Sequence, residues 1–89
     1  MAELVYEAGF ADDLALVYSE KLRHEVSRLL DAIELFGDIG SRDVPAYLLQ
    51  TYGEGIRKAP VGPFDLIYLV DEDNDIAYIR ALIHQKTVR

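Results

Sequence analysis

The sequence has no cysteine, only three prolines, and no long hydrophobic run. Lacking cysteine, the chain has no disulfides, no thiolate zinc site and no cysteine nucleophile. That fits a reducing compartment, and a cytoplasmic location is expected. The longest strongly apolar run is Leu66-Ile67-Tyr68-Leu69-Val70, far below the roughly 18–20 residues that cross a bilayer. Met1-Ala2-Glu3-Leu4 lacks the basic-then-apolar pattern of a secretory signal, so none is expected, nor any membrane partner. Positive charge is also scarce. Nine Lys and Arg stand against sixteen Asp and Glu, a net charge of −7. That balance opposes general nucleic-acid binding, which depends on neutralising phosphates.

The residues that are present describe a folded domain. Half the sequence is hydrophobic and 28% is charged, as in ordinary globular proteins. With 89 residues, one domain spanning 1–89 is expected. Charge is uneven along it. Residues 1–43 hold ten acids and four bases, and residues 44–89 hold six acids and five bases, so the C-terminal half has room for a local basic face on an acidic protein.

Leu4-Val5-Tyr6 before Gly9 reads as an edge strand. Asp12 or Asp13 suits a helix opening, an acid near the positive helix end. Leu14, Tyr18, Leu22, Val26, Leu29, Leu30, Ile33 and Phe36 recur in steps of three and four, the mark of one apolar stripe. Ser19 is a candidate cap for a second helix. The pattern favours helices at about 11–18 and 20–36, with one continuous helix as the alternative. Gly37 and Gly40 end it. In residues 41–53, Pro45 begins a single helical turn through Tyr47, Leu48 and Leu49, or the segment is a packed loop. From Gly55 the period becomes two. Strands are expected at 55–59, 64–70 and 76–85, joined by turns at Val61-Gly62-Pro63 and at residues 71–75, and therefore antiparallel. The fold class is α+β: a curved antiparallel sheet with a two-helix segment on one face.

Unbroken alternation along the last strand puts Ala77, Ile79, Ala81 and Ile83 against the helices, and Tyr78, Arg80, Leu82 and His84 on the other face. In the middle strand Phe64, Leu66, Tyr68 and Val70 point to the core, leaving Asp65, Ile67 and Leu69 outward. If Ile56 is inward, Arg57 is outward. The open face then gathers Arg57, Asp65, Tyr78, Arg80 and His84, with Lys58 and Lys86 alongside. Arginine forks match phosphate oxygens and stabilise charge developing on them. His84 titrates near neutrality and is able to move a proton. Scattered Arg and His on a sheet also occur with no chemistry attached: Asp65 then neutralises Arg57 or Arg80, and His84 only ends a strand. Asp71-Glu72-Asp73-Asn74-Asp75 lacks the Gly and the distant Glu of a calcium loop and reads as a hairpin turn. Gly53 and Gly55 have no third Gly and no preceding strand, so no dinucleotide site follows. Neither a metal nor a cofactor is expected.

The segment Gly55 to Asp71, with its arginine-bearing strand, its turn and its Phe64-Asp65-Leu66-Ile67-Tyr68 run before a short acidic turn, resembles the RelE/ParE toxin family. Leu82-Ile83-His84 resembles the end of the family's last strand. Leu4-Val5-Tyr6 followed by Phe10-Ala11-Asp12-Asp13-Leu14 is similar to its first strand and helix opening. The resemblance covers nearly the whole chain and implies the toxin of a bacterial toxin–antitoxin pair. Such toxins either cut mRNA on the ribosome or poison DNA gyrase, and a cognate antitoxin neutralises them. The implied catalytic residues are His84, Arg57 and Arg80, and the implied substrate contacts are Lys58, Tyr78 and Lys86. Two departures stand out. Asp65 occupies a position that is usually Arg in the nucleases, and family toxins are commonly basic. Asp65 is therefore expected to modulate the site, by pairing with His84 or by drawing off an arginine. An inactive, partner-binding module of the same fold is the remaining alternative.

Overall fold

The apolar stripe centred on Val26, Leu30 and Ile33 forms the longest helix, and both of its ends carry the signals expected of them. A computed structural model describes residues 1–85, which form β1 (Glu3–Tyr6), α1 (Ala8–Ala15), α2 (Glu20–Phe36), α3 (Ala46–Tyr52), β2 (Arg57–Val61), β3 (Phe64–Asp71) and β4 (Ile76–His84). Ser19 caps α2, its Oγ accepting from the Leu22 N–H at 3.2 Å. Gly37, at φ 62°, ends it with its N–H on Ile33 O. The two helices are separate. Arg23 Nη1 donates to Leu14 O at 3.1 Å and Val17 O at 3.0 Å, tying the start of α2 to the turn that follows α1.

α1 begins at Ala8, ahead of the expected Asp12 or Asp13 opening. Asp13 is engaged elsewhere, its Oδ2 accepting from the Leu82 N–H of β4 at 3.0 Å. The helix also stops early, so Tyr18 falls in the connection and is exposed, and Phe36 in the last turn of α2 is exposed as well. Pro45 precedes a helix of seven residues, α3, with Leu48 buried. Gly55 lies at φ 82°, outside strand conformation, and β2 accordingly starts at Arg57.

The sheet order is β1-β4-β3-β2. β2, β3 and β4 pair antiparallel as expected. β1 pairs parallel with β4, Glu3 opposite Ile76, which makes the sheet mixed. Its chain leaves through the helices on one face before the sheet forms, so no hairpin dictates its direction.

One irregularity overturns the face assignment of β4. Ile67 pairs with Ala81 but Tyr68 pairs with Ile79, so Arg80 is an extra residue, a β-bulge. Alternation resets there. Ala77, Ile79 and Leu82 join Leu66, Tyr68, Val26 and Ile33 in the core under α1 and α2. Ala81 and Ile83 turn to the opposite face with Ile67. That face is not open: α3 and its flanks cover it, and Val44, Leu48 and Ile56 pack on Ile67 and Ala81. Burying each such aliphatic side chain stabilises the fold by about 1.5–3 kcal/mol relative to exposure. The sheet thus has an apolar layer on each side.

Candidate functional site

Arg57 is the first residue of β2 and pairs across the ladder with Tyr68, whose ring lies in the α1/α2 core. It therefore points to the helix side and is buried at 5% exposure, contrary to the outward placement expected from Ile56. Its Nη2 lies 3.7 Å from Glu72 Oε1, and Arg42 Nη2 lies 3.9 Å from the same oxygen. The three side chains border a cavity of about 370 Å³ beside the β3–β4 turn.

Tyr68, the ladder partner of Arg57, ties the segment after α2 to the sheet. Its hydroxyl donates to Gly37 O at 2.9 Å and accepts from the Gly40 N–H at 2.8 Å. Gly40 has no room for a side chain, since a Cβ there would lie 2.7 Å from that hydroxyl. Burial pushes the Tyr68 phenol above its ordinary value, and the Gly40 bond and nearby Arg57 pull against that shift.

Arg80, the bulge residue, turns to the start of α1. Its Nη1 donates to Glu7 Oε2 at 2.6 Å, and its guanidinium carbon lies 5.9 Å from the Tyr78 ring centre. Its Nε is buried without a hydrogen-bond partner among the described residues. On the neighbouring helix α3, burial and then the Asp13 charge raise the Tyr52 phenol.

His84 ends β4 opposite Phe64, with ring centres 5.4 Å apart in an edge-on contact. Arg57 and His84 stand opposite Tyr68 and Phe64, four residues apart on β3. That is about 13 Å along the strand alone. Asp65 is buried on the other face, in register with Ile83, so the ladder directs it away from His84. Gln85 Nε2 approaches its Oδ1 at 3.5 Å and donates to Phe64 O at 3.1 Å. Lys58 pairs with Ile67 on the ladder and exchanges two backbone hydrogen bonds with Ser41. Lys86 lies outside the described residues.

The expected single constellation is therefore divided: Arg57 at one end of the sheet, Arg80 with Tyr78 at the bulge, and His84 near the β2–β3 turn. The bulge and the true register of β2 are the physical reasons. Sequence reasoning missed the acids that engage the arginines. Glu7 carries no local signal, since its partner is 73 residues away. Glu72 was visible only as part of the acidic turn. There, Asp71 is held below the usual carboxylate range by hydrogen bonds from the Asn74 side chain and backbone.

A second surface feature is an apolar groove of about 470 Å³ between α1 and α2, lined by Tyr6, Phe10, Leu14, Val26 and Leu30. Tyr6 stacks on Phe10 with ring centres 5.9 Å apart. Among the described residues, no helix is long and apolar enough to cross a membrane.

No protein-family model and no curated protein matches the sequence. Solved structures do match. A chain of the intact Escherichia coli RelBE toxin–antitoxin complex superposes with a TM-score of 0.71 at 11% identity, over 94% of this chain and 96% of that one. A chain of the RelBE2 toxin–antitoxin complex of Mycobacterium tuberculosis gives 0.70 at 15% identity, over 94% and 98%. YafQ from E. coli gives 0.53 at 22% identity, over 98% and 97%. The chain has the α+β fold of the RelE-like toxins.

Proposed function

We propose that this protein is the toxin of a toxin–antitoxin pair, neutralised by a cognate antitoxin and acting in the cytoplasm by ribosome-dependent cleavage of mRNA. The observation that carries the proposal is the fold, shared over nearly the whole length with chains of two toxin–antitoxin complexes. The apolar groove between α1 and α2, with Leu16 and Tyr18 exposed nearby, is a surface of the kind that partner proteins cover, and supports the antitoxin. In this reading Arg80 neutralises the scissile phosphate and His84 exchanges the proton, while Arg57, about 13 Å from His84 along β3, adds positive field rather than a direct contact. Tyr78, Lys58 and Lys86 contact the RNA strand, and Asp65 tempers the positive field.

One observation favours a second reading, in which the toxin acts by binding a protein such as DNA gyrase and cuts nothing, or binds only its partner. The cations are dispersed, and the sheet face away from α1 and α2 is apolar and covered by α3. The two readings separate on one experiment. The chain is induced alone in a bacterial host and the 5′ ends of translated mRNAs are mapped. New ends at a fixed position within codons, abolished by Arg80→Ala or His84→Ala, are the expected result. Growth arrest without new ends would transfer the activity to a protein target, and no arrest would leave a binding module.

A further inference from the structure

We infer that the cavity between the start of β2 and the β3–β4 turn is a carboxylate-binding site, which the chain's own Glu72 occupies loosely. This inference is independent of the toxin reading. Its starting point is Arg57. The side chain is 6% exposed, yet among the described residues its guanidinium makes no hydrogen bond, and its one ion pair is with Glu72 at 3.7 Å. A guanidinium has five N–H donors in a planar fork. Direct hydrogen bonds to a carboxylate run about 2.7–2.9 Å. The sealed and unpartnered side-chain nitrogen among the described residues is Arg80 Nε, so the Arg57 nitrogens still reach solvent through the cavity and are open to a ligand.

Glu72 shows what chemistry fits. Its Oε1 sits between two guanidinium groups, 3.7 Å from Arg57 and 3.9 Å from Arg42, and bonds directly to neither. Its backbone explains the distance. Residue 72 belongs to a turn fixed by the Asp71–Asn74 hydrogen bonds and closed by Asp75 at φ 55°. A carboxylate free of that tether is able to engage the Arg57 fork with both oxygens. Glu72 is 72% exposed and has only solvent to leave for.

The rest of the cavity suits the carbon portion of such a ligand. Leu69 and Val70 add some apolar surface at the edge of β3, and Gly55, at φ 82°, contributes no side chain. A volume of about 370 Å³ lies in the range of small-molecule sites. Charge decides the class of anion. Asp71 and Asp73 line the same cavity, and their repulsion weighs more heavily on a doubly charged phosphate than on a singly charged carboxylate. The site therefore takes a monocarboxylate with a short apolar body. Two sources have that chemistry, a small organic acid and the C-terminus of a peptide.

The test is nuclear magnetic resonance on the full chain, following the Arg57 side-chain Nε–H and the Gly55 amide. The probes are acetate, N-acetyl-leucine, N-acetyl-leucinamide and inorganic phosphate at matched ionic strength. Saturable shifts with the carboxylates and none with the amide are expected. Glu72→Gln removes the internal competitor, and if Glu72 fills the site nine-tenths of the time the apparent Kd falls about tenfold. Arg42→Ala, at an exposed position, weakens binding without touching the core. N-acetyl-leucine binding tighter than acetate assigns the site to peptide C-termini, and equal binding assigns it to small acids. Absence of saturable shifts in Glu72→Gln, an equal response to the amide, or tighter binding of phosphate would overturn the inference.

Discussion

Replacing Tyr68 with Phe removes one oxygen from the centre of the molecule and almost no volume. The ring is fully buried, and its hydroxyl ties Gly37 O at 2.9 Å and the Gly40 N–H at 2.8 Å. A net hydrogen bond is worth about 0.5–1.5 kcal/mol, and stranding a buried partner costs about 1–3 kcal/mol. Because Phe leaves no cavity, the loss belongs to the two bonds, and about 2 kcal/mol is expected. For a domain of this size that lowers Tm by about 8–16 °C. Urea unfolding followed by circular dichroism reads it directly, as a lower midpoint with an unchanged slope. Alkaline pH supplies a second signature. Burial raises the Tyr68 phenol above 10.0 in the folded state, so the folded protein holds that proton more tightly than the unfolded one. The associated stability is present below about pH 10 and is lost as pH rises through the folded value. The gap between wild type and Tyr68→Phe should therefore narrow above pH 10. A loss under about 0.5 kcal/mol would refute the view that this hydroxyl pins residues 37–40 to the sheet.

Three further perturbations follow from the same structure. Asp13→Ala strands the Leu82 N–H at the bulge and should cost about 1–3 kcal/mol in urea unfolding. Asp13→Asn, which keeps an acceptor oxygen, should cost less. Gly62→Ala places a Cβ at φ 57° directly against Leu22 and should destabilise by about 1–3 kcal/mol, measured as a lower Tm. Asn74→Ala removes the leading hydrogen bond that depresses Asp71. Its carboxyl pKa, read by carbon-detected titration, should rise toward the ordinary value. An unchanged pKa would show that the backbone of the turn, rather than the amide, sets it.

Much of this architecture was legible because its signals are local. Ser19, the stripe through Val26, Leu30 and Ile33, and Gly37 mark α2 end to end, and each signal acts within about a turn of its own residue. The turns at Gly62 and at residues 71–75 fix the hairpins in the same way. What was not legible depends on distant partners. The parallel pairing of β1 with β4 joins Glu3 to Ile76, and no local rule reports it. The bulge at Arg80 is hidden because Ala81, Leu82 and Ile83 are all apolar, so the alternation reads acceptably in either register. That single inserted residue sent Ala81 and Ile83 to the α3 face and Arg80 to Glu7. The candidate site was read least well. Its residue types were recognised, but their common face rested on unbroken alternation in β4 and on β2 beginning with an inward Ile56. Lys86 lies outside the described residues.

The order of strands across the sheet has a consequence for how the protein is made. β4, the partner of both β1 and β3, is the last of the four to leave the ribosome. Until residues 76–84 emerge, β1 has no neighbour, Glu7 has no arginine and Asp13 has no amide to cap. A growing chain can form the α1–α2 pair and the β2–β3 hairpin but cannot close the sheet. Pairings between such distant residues also make folding slow. The sheet is therefore completed by its last strand, and until then the growing chain displays its apolar helix faces to whatever waits near the tunnel mouth.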